Sequence, residues 1–480
     1  MKHLLYMILV LLPVCVFAQF VELDYELERY GGDQYDTFTG IVTLDNGFLL
    51  IGNTSSDIVA GWPNVYAERI TPSGETLWTS SLNNFISDNS TAAIQTSSGD
   101  FLITGASFSA ADGNTRAFIM RLSPSGALLS TVEFGLNGDD LGTGIFEDED
   151  GYLVVGHSRP QPFGYADAFV ARFSETGEQQ WGELYGNAED DLCTGAAQAT
   201  NGNLLLTGYT HVDEPSSADL MFILVDNQGQ QLNFQSISTE LATIGTAAAT
   251  LDTGFVVTGY TYITADSSLE HPRPFIVTVD TLGNPGPLTI IEDADPSFIN
   301  AIAVTERGDI FLGGETFSRN DAIVLHVNQD GELLHQVRNR SNGWDTITAL
   351  AWDEPRQTLH VAGTTSGGNA EMWDFFRGTI RPVSDTHSPA PVAQSLTLGT
   401  HPNPFNASST VTIDLTGRAH LKVIVYDLLG RETMRLINGR VNAGRHQYFI
   451  DASSLASGVY FVSAELNGTQ RSVRKLVLVR

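Results

Sequence analysis

Apolar and polar residues in this chain alternate in short runs of strand length, and the runs recur. Seven times an apolar stretch closes on a glycine. The runs are GFLLIG at Gly52, GDFLITG at Gly105, GYLVVG at Gly156, GNLLLTG at Gly208, GFVVTG at Gly259, GDIFLGG at Gly314 and QTLHVAG at Gly363, at steps of 49 to 55 residues. A second mark keeps the same step: PSG at Gly74 and Gly126, ETG at Gly177, NQG at Gly229, TLG at Gly283 and QDG at Gly331.

Within one unit the pattern predicts four strands. In the third, TGIFEDEDG is an inner strand and turn, and YLVVGHS a second, apolar strand. The loop RPQPFGYA leads to DAFVARFSETG, a third strand with its hairpin, and EQQWGELYG is the outer strand. Alternation in AFVARF puts Phe169 and Ala171 on one side of the sheet, with Val170 and Arg172 on the other. The PSG-type glycines supply the positive φ of the hairpin between third and fourth strands. A repeat near fifty residues, with several strands per unit, reads as a β-propeller with one blade per repeat. The fold class expected is therefore all-β: a seven-bladed propeller over 19–381. Its last repeat contains only three strands. The chain start, FVELDYELERYGGDQYDT, reads as an outer strand and exit loop, so residues near 20–30 are expected to complete that blade and remove two exposed sheet edges.

Other segments stand apart. Residues 1–18, MKHLLYMILVLLPVCVFA, have a basic start, a short apolar run and a small residue at Ala18, and read as a secretory signal peptide cut before Gln19. The LPV before Cys15 lacks the small residue that a lipid anchor requires. No later stretch is apolar enough to span a bilayer. After cleavage only Cys193 would remain, which leaves no partner for an intramolecular disulfide. Residues 382–396 form a Pro/Ser-rich linker, and 397–480 alternate as strands of a small immunoglobulin-like sandwich.

Charge divides the chain unevenly. Residues 1–396 carry 15 Lys+Arg against 51 Asp+Glu, whereas 397–480 carry 10 against 5. So anionic a body repels phosphate backbones, which argues against nucleic acid.

Chemistry-bearing residues are sparse. Asp-x-x-Thr recurs where inner strands begin (Asp36/Thr39, Asp88/Thr91, Asp140/Thr143, Asp191/Thr194, Asp345/Thr348), and Asp167, Asp219 and Asp321 open third strands. Short acidic and hydroxyl side chains at loop ends bond local backbone amides. The spacing lacks the dense oxygen pattern of a calcium loop, so no cofactor is expected and calcium is the one ion left open. No GxSxG, HExxH, P-loop or paired CxxC occurs, and the histidines show no ligand spacing. Paired carboxylates such as Asp139/Asp140 and Asp190/Asp191 are of the type that performs glycoside hydrolysis, and a secreted polysaccharide-active hydrolase or lyase is the alternative function class. Binding is the leading expectation. Loops joining second to third strands, and outer strands to the next inner strand, gather on one face. They carry Trp62, Phe163, Tyr165, Tyr209, Tyr260, Tyr262 and Trp373, with His211, His271 and Arg273, among Asp33, Asp57, Asp139, Asp190, Asp213 and Asp266. Aromatics among carboxylates suit an extracellular glycan or protein ligand.

Two resemblances sharpen this. Residues 20–382 resemble secreted bacterial propellers of SBBP-type repeats, which implies the fold and little about activity. The last 80 or so residues closely resemble the C-terminal sorting domain of the type IX secretion system (the Por secretion tail family). The match lies in Pro402-Asn403-Pro404-Phe405-Asn406, in Val423–Tyr426 followed by Asp427, Gly430 and Arg431, in Leu455–Tyr460 with Gly458 and Tyr460, and in the basic end at Lys475. That resemblance implies passage across the outer membrane by the type IX machinery, as a partner of the tail, and a secreted or cell-surface location.

Overall fold

A computed structural model describes residues 28–30, 35–56, 62–82, 87–108, 113–136, 138–160, 164–211, 218–239, 242–265, 269–339, 343–366, 373–380, 396–415, 419–428, 430–441, 444–453, 455–466 and 470–479. The expected signal peptide, nearly all of the linker, Phe163 and Asp33, Asp57, Asp213 and Asp266 lie outside the described residues. Every described element is a β-strand. The chain divides into two compact units, 1–383 and 384–480.

Among the described residues, unit 1 contains seven four-stranded antiparallel sheets that resemble propeller blades. Sheet 1 is Asp36–Leu44, Gly47–Thr54, Asn64–Ile70 and Thr76–Leu82. Sheet 2 is Asp88–Gln95, Phe101–Phe108, Thr115–Leu122 and Leu128–Phe134. Sheet 3 is Gly138–Asp148, Gly151–Pro160, Asp167–Ser174 and Gln179–Tyr185, and sheet 4 is Asp191–Gln198, Leu204–His211, Ala218–Val225 and Gln231–Ile237. Sheet 5 is Thr243–Leu251, Gly254–Ala265, Leu269–Asp280 and Thr289–Ile290, and sheet 6 is Ser297–Val304, Ile310–Thr316, Ala322–Val327 and Leu333–Arg338. Sheet 7 takes Asp345–Asp353, Thr358–Thr365 and Asp374–Ile380 from the end of the unit. Its outer strand is Glu28–Tyr30, with Glu28 opposite Arg377 and Tyr30 opposite Phe375.

The second strand of each sheet is apolar because both of its faces are covered; all eight residues of Gly47–Thr54 are buried. Each face feeds a different core. Phe169, Ala171 and Phe173 pack with Leu102 and Phe134 of sheet 2, whereas Val170 packs with Leu204 and Met221 of sheet 4. The same partition runs from sheet to sheet, and the last core, Phe38, Phe48, Leu50 and Ile70 with Ala362 and Phe375, joins sheet 7 to sheet 1. That junction also holds a buried ion pair, Arg377 to Glu68 at 2.9 Å, and Arg377 donates a second bond to the Gly74 carbonyl. Because both charges are buried and paired, removing either alone leaves an uncompensated ion.

Both glycine landmarks have a steric cause. The PSG-type residues Gly74, Gly126, Gly177, Gly229, Gly283 and Gly331 have φ between 77° and 88°. The strand-closing glycines instead face a backbone carbonyl. A Cβ on Gly208 would lie 1.8 Å from the Leu192 oxygen, and one on Gly156 would lie 1.9 Å from that of Leu141. The carbonyl is pressed there by a β-bulge in the inner strand, at Thr39, Thr91, Thr143, Thr194, Thr246, Asn300 and Thr348.

The Thr of Asp-x-x-Thr, expected to bond local backbone, does bond backbone of its own sheet (Thr91 to Thr104 O, Thr194 to Thr207 O, Thr348 to Ala362 O), through carbonyls and not amides, and these bulge residues also go further. Their side chains reach the next sheet. Thr91 donates to Gly142 O at 2.6 Å, Thr194 to Gly245 O at 2.6 Å and Thr246 to Ile299 O at 2.7 Å. Asn300 donates to Ile347 O at 3.3 Å, Thr39 meets the Ser90 hydroxyl at 3.1 Å, and Thr143 meets Cys193 Sγ at 3.7 Å. Thr348 donates to Phe38 O at 2.5 Å, across 310 residues. The belt therefore returns to sheet 1, and it sets equivalent ends of all inner strands on the same side.

Unit 2 places a three-stranded sheet (Leu396–His401, Ser408–Leu415, Gly444–Asp451) and a four-stranded sheet (Ala419–Tyr426, Glu432–Val441, Gly458–Leu466, Gln470–Leu478) around one core. Val411, Ile413, Val423, Ile450, Val462 and Leu476 lie in it.

Candidate functional site

The carboxylates of the repeat motif are held by the fold. Asp36 accepts bonds from Thr54 Oγ1 at 2.5 Å and Ser56 Oγ at 2.8 Å, and Asp345 accepts from Thr365 Oγ1 at 2.5 Å. Asp191 accepts from the Asn187 amide at 2.6 Å, and Asp140 from that of Leu136 at 3.2 Å. Ser238 donates to Asp219. Burial raises the pKa of Asp191, and of Asp167, which also feels Asp191 and Asp190. Cys193 is buried against Thr143, and its thiol is pushed up to about 12 by desolvation, so it is a packing residue and not a nucleophile. Among the described residues no group of three His, Cys, Asp or Glu is placed to hold a metal ion.

The loop face presents a different chemistry. Inner strands start on the side where second strands end, and Trp62, Tyr165 and Trp373 stand at the loop ends there, just before third strands. Tyr209, Tyr260 and Tyr262, expected on loops, instead lie within the second strands Leu204–His211 and Gly254–Ala265, and His271 and Arg273 within the third strand Leu269–Asp280. The exposed large hydrophobics of unit 1 sort by side. Tyr35, Trp62, Phe108, Tyr165, Phe317 and Trp344 lie at or beside these loop ends. The exposed leucines Leu77, Leu128, Leu129, Leu184, Leu232 and Leu282 lie on outer strands or the opposite hairpins. Scattered exposed leucines are ordinary, whereas six exposed rings on one side of the unit are not.

Trp62 and Tyr165, both expected from sequence, stand 53% and 57% exposed. The other expected rings are partly folded down. Tyr209 meets His211 edge-on at 5.4 Å, and Tyr260 packs edge-on against Tyr262 at 5.9 Å and Phe298 at 4.9 Å. Burial raises the phenols of Tyr209 and Tyr260. Trp373 leans on Trp344 with ring centroids 5.3 Å apart. His271 meets Phe317 at 5.3 Å, and Arg273 donates to the Ala294 carbonyl at 3.0 Å. Asp139 is occupied by the Thr115 amide at 2.7 Å; Asp190 accepts from the Ala166 amide at 2.7 Å and pairs with Arg159 at 3.0 Å. Sequence reasoning missed Tyr35, Phe108, Phe317, Trp344 and Glu315. Their one common signal is position, within two residues of the end of a second strand or the start of an inner one.

In unit 2 the tail residues knit the start of the domain to its end. Asn403 donates to the Lys475 carbonyl at 2.7 Å and accepts from the Val477 amide at 2.9 Å. Phe405 is buried beside Leu478 and exchanges backbone bonds of 2.9 Å with Val477 and Val479. The Pro402 carbonyl accepts from Ser409 Oγ at 2.8 Å, while Pro404 and Asn406 are exposed. Asp427 closes a turn by accepting from both the amide and the Nε of Arg431, with Gly430 at φ 76° between them. Gly458 opens the strand on which Tyr460 is buried with its hydroxyl on the Ala456 carbonyl, and the Lys475 side chain is exposed.

Residues 400–479 match the family described as the secretion system C-terminal sorting domain. This tail indicates export by type IX secretion to the cell surface or the medium. No curated protein matches the chain. Among solved structures it is similar to hydrazine synthase of Kuenenia stuttgartiensis, at 10% identity over 69% of this chain and 94% of that one, with a TM-score of 0.49. It is also similar to the β-propeller domain of the trilobed protease of Pyrococcus furiosus, at 9% identity over 73% and 98%, with a TM-score of 0.43. A third is YCF48 bound to a D1 peptide, at 10% identity over 73% and 96%, with a TM-score of 0.42. Likeness at this level carries nothing about activity. Among the described residues no helix is long and apolar enough to cross a membrane.

Proposed function

We propose that the chain is a secreted seven-bladed β-propeller, completed by its own N-terminal strand after signal-peptide removal and delivered by an immunoglobulin-like sorting tail over 397–480. The propeller binds an extracellular polymer or protein on its loop face, without catalysis and without a cofactor. The observation that carries this reading is the gathering of exposed rings on one face, while the leucines left in water lie elsewhere. The motif carboxylates on that face are engaged in fastening loops, which suits a scaffold more than an acid–base pair. A polysaccharide hydrolase is the second reading; it draws on Asp167 and Asp191, both raised by burial.

Ending the gene after residue 396 tests the delivery half: the propeller is then retained in the periplasm, and normal appearance at the surface refutes the role of the tail. An array of glycans and proteins, run beside a reducing-end assay, tests the rest. Binding without turnover supports the scaffold reading, and product release supports the hydrolase.

A further inference from the structure

Resting on the reading that the loop face binds, the structure points to a particular ligand class and a particular place. We infer that Trp344, Phe317 and Glu315, at the ends of sheets 6 and 7, form a platform for a neutral polysaccharide chain.

Trp344 is 43% exposed, yet it is held from three directions. Its backbone amide donates to Ser366 Oγ at 2.8 Å, its indole Nε1 donates to Glu315 Oε2, and its ring rests on Trp373. An exposed indole fixed this way has already lost the rotamer freedom that binding would otherwise remove. Phe317, 41% exposed, is seated edge-on against His271 and Phe298 and presents its remaining surface to water. Two flat apolar rings are thus offered on neighbouring sheets, and they do not stack on each other.

Between them in function stands Glu315. Burial raises its pKa, and Trp344 occupies only Oε2, which leaves Oε1 to accept a hydroxyl. A flat apolar surface beside a hydrogen-bond acceptor matches a sugar ring, which has C–H groups on its faces and hydroxyls around its edge. Charge narrows the class. With 51 Asp+Glu against 15 Lys+Arg over residues 1–396, the unit repels polyanionic chains. A cationic chain would be held by the general field and would not need these rings. A protein partner calls for a continuous apolar centre, whereas among the described residues the six exposed rings of this face make no ring contacts with one another.

The test is affinity electrophoresis of the mature full chain in gels containing laminarin, xylan, galactomannan or pullulan, with alginate as the anionic control. Retardation is expected in at least one neutral gel and not in alginate. Trp344→Ala weakens it about ten-fold, the loss of one aromatic contact of about 1.4 kcal/mol. Trp344→Phe keeps a flat ring and stays within about three-fold of the parent, which separates platform loss from misfolding. Leu232→Ala, on the outer strand Gln231–Ile237 away from the loop face, leaves retardation by these gels unchanged. Retardation that survives Trp344→Ala but is lost with Trp62→Ala overturns this placement while the loop-face reading stands. No retardation in any neutral gel overturns the ligand class, and array binding of proteins by the same face then separates that failure from failure of the face itself.

Discussion

Replacing Gly208 by alanine puts the repeat to a quantitative test. The added methyl would lie 1.8 Å from the Leu192 carbonyl oxygen and 3.1 Å from the Thr194 amide nitrogen. Both are backbone atoms, so no rotamer change relieves the clash, and the inner strand has to retreat by more than about 1 Å; overpacking of this kind costs about 1–3 kcal/mol. Retreat also moves the bulge at Thr194, whose hydroxyl bonds Gly245 O at 2.6 Å, and loss of such a bond adds about 1 kcal/mol. The expected total of about 3 kcal/mol is a large share of the 5–15 kcal/mol that holds a typical domain together. All six tryptophans lie in unit 1, so indole fluorescence during urea unfolding of the full chain reports on that unit alone. Gly74→Ala is the control: its φ is 88° but nothing lies within 4 Å of the new methyl, so it costs only the backbone term of about 1 kcal/mol. If Gly208→Ala unfolds at the same urea concentration as Gly74→Ala, the bulge argument is wrong.

Two further outcomes follow from the same geometry. Thr348→Val removes the hydroxyl that reaches Phe38 O at 2.5 Å and leaves that carbonyl with the longer bond from Thr37 Oγ1 at 3.2 Å, so unit 1 loses about 1 kcal/mol in the same fluorescence assay; an unchanged midpoint would mean the last sheet and the first do not rely on this bond. Glu315 is raised by burial, so the folded chain keeps its proton to higher pH than the unfolded one. Its favourable contribution is complete below the ordinary glutamate value and is lost as pH rises through the raised one. Glu315→Gln therefore flattens the fall in unfolding free energy across that window, and an identical pH profile for both proteins refutes the desolvation argument.

Much of the architecture was legible from residue order, for a physical reason. Alternation reports which side of a strand is covered, and it separated Phe169 from Val170 correctly because those residues feed different cores. The tail was legible as well, since Asn403, Phe405, Asp427 and Gly430 each close a specific backbone junction that few other residues satisfy. The site was only partly legible. Tyr260 and Trp373 were as promising in the sequence as Trp62, but Phe298 and Trp344 fold them down.

Local chemistry thus determined the strands, their period, their hairpins and the export tail, because each depends on residues adjacent in the chain or paired across one turn. Two things were decided by the tertiary structure alone. One is that the threonine of each Asp-x-x-Thr, pushed out by a bulge, joins its sheet to the next. The other is which aromatic rings stay in water. Both depend on neighbours about fifty residues away, or 310 residues away for Thr348 and Phe38, and no local pattern of apolar and polar positions encodes what a folded neighbour will cover.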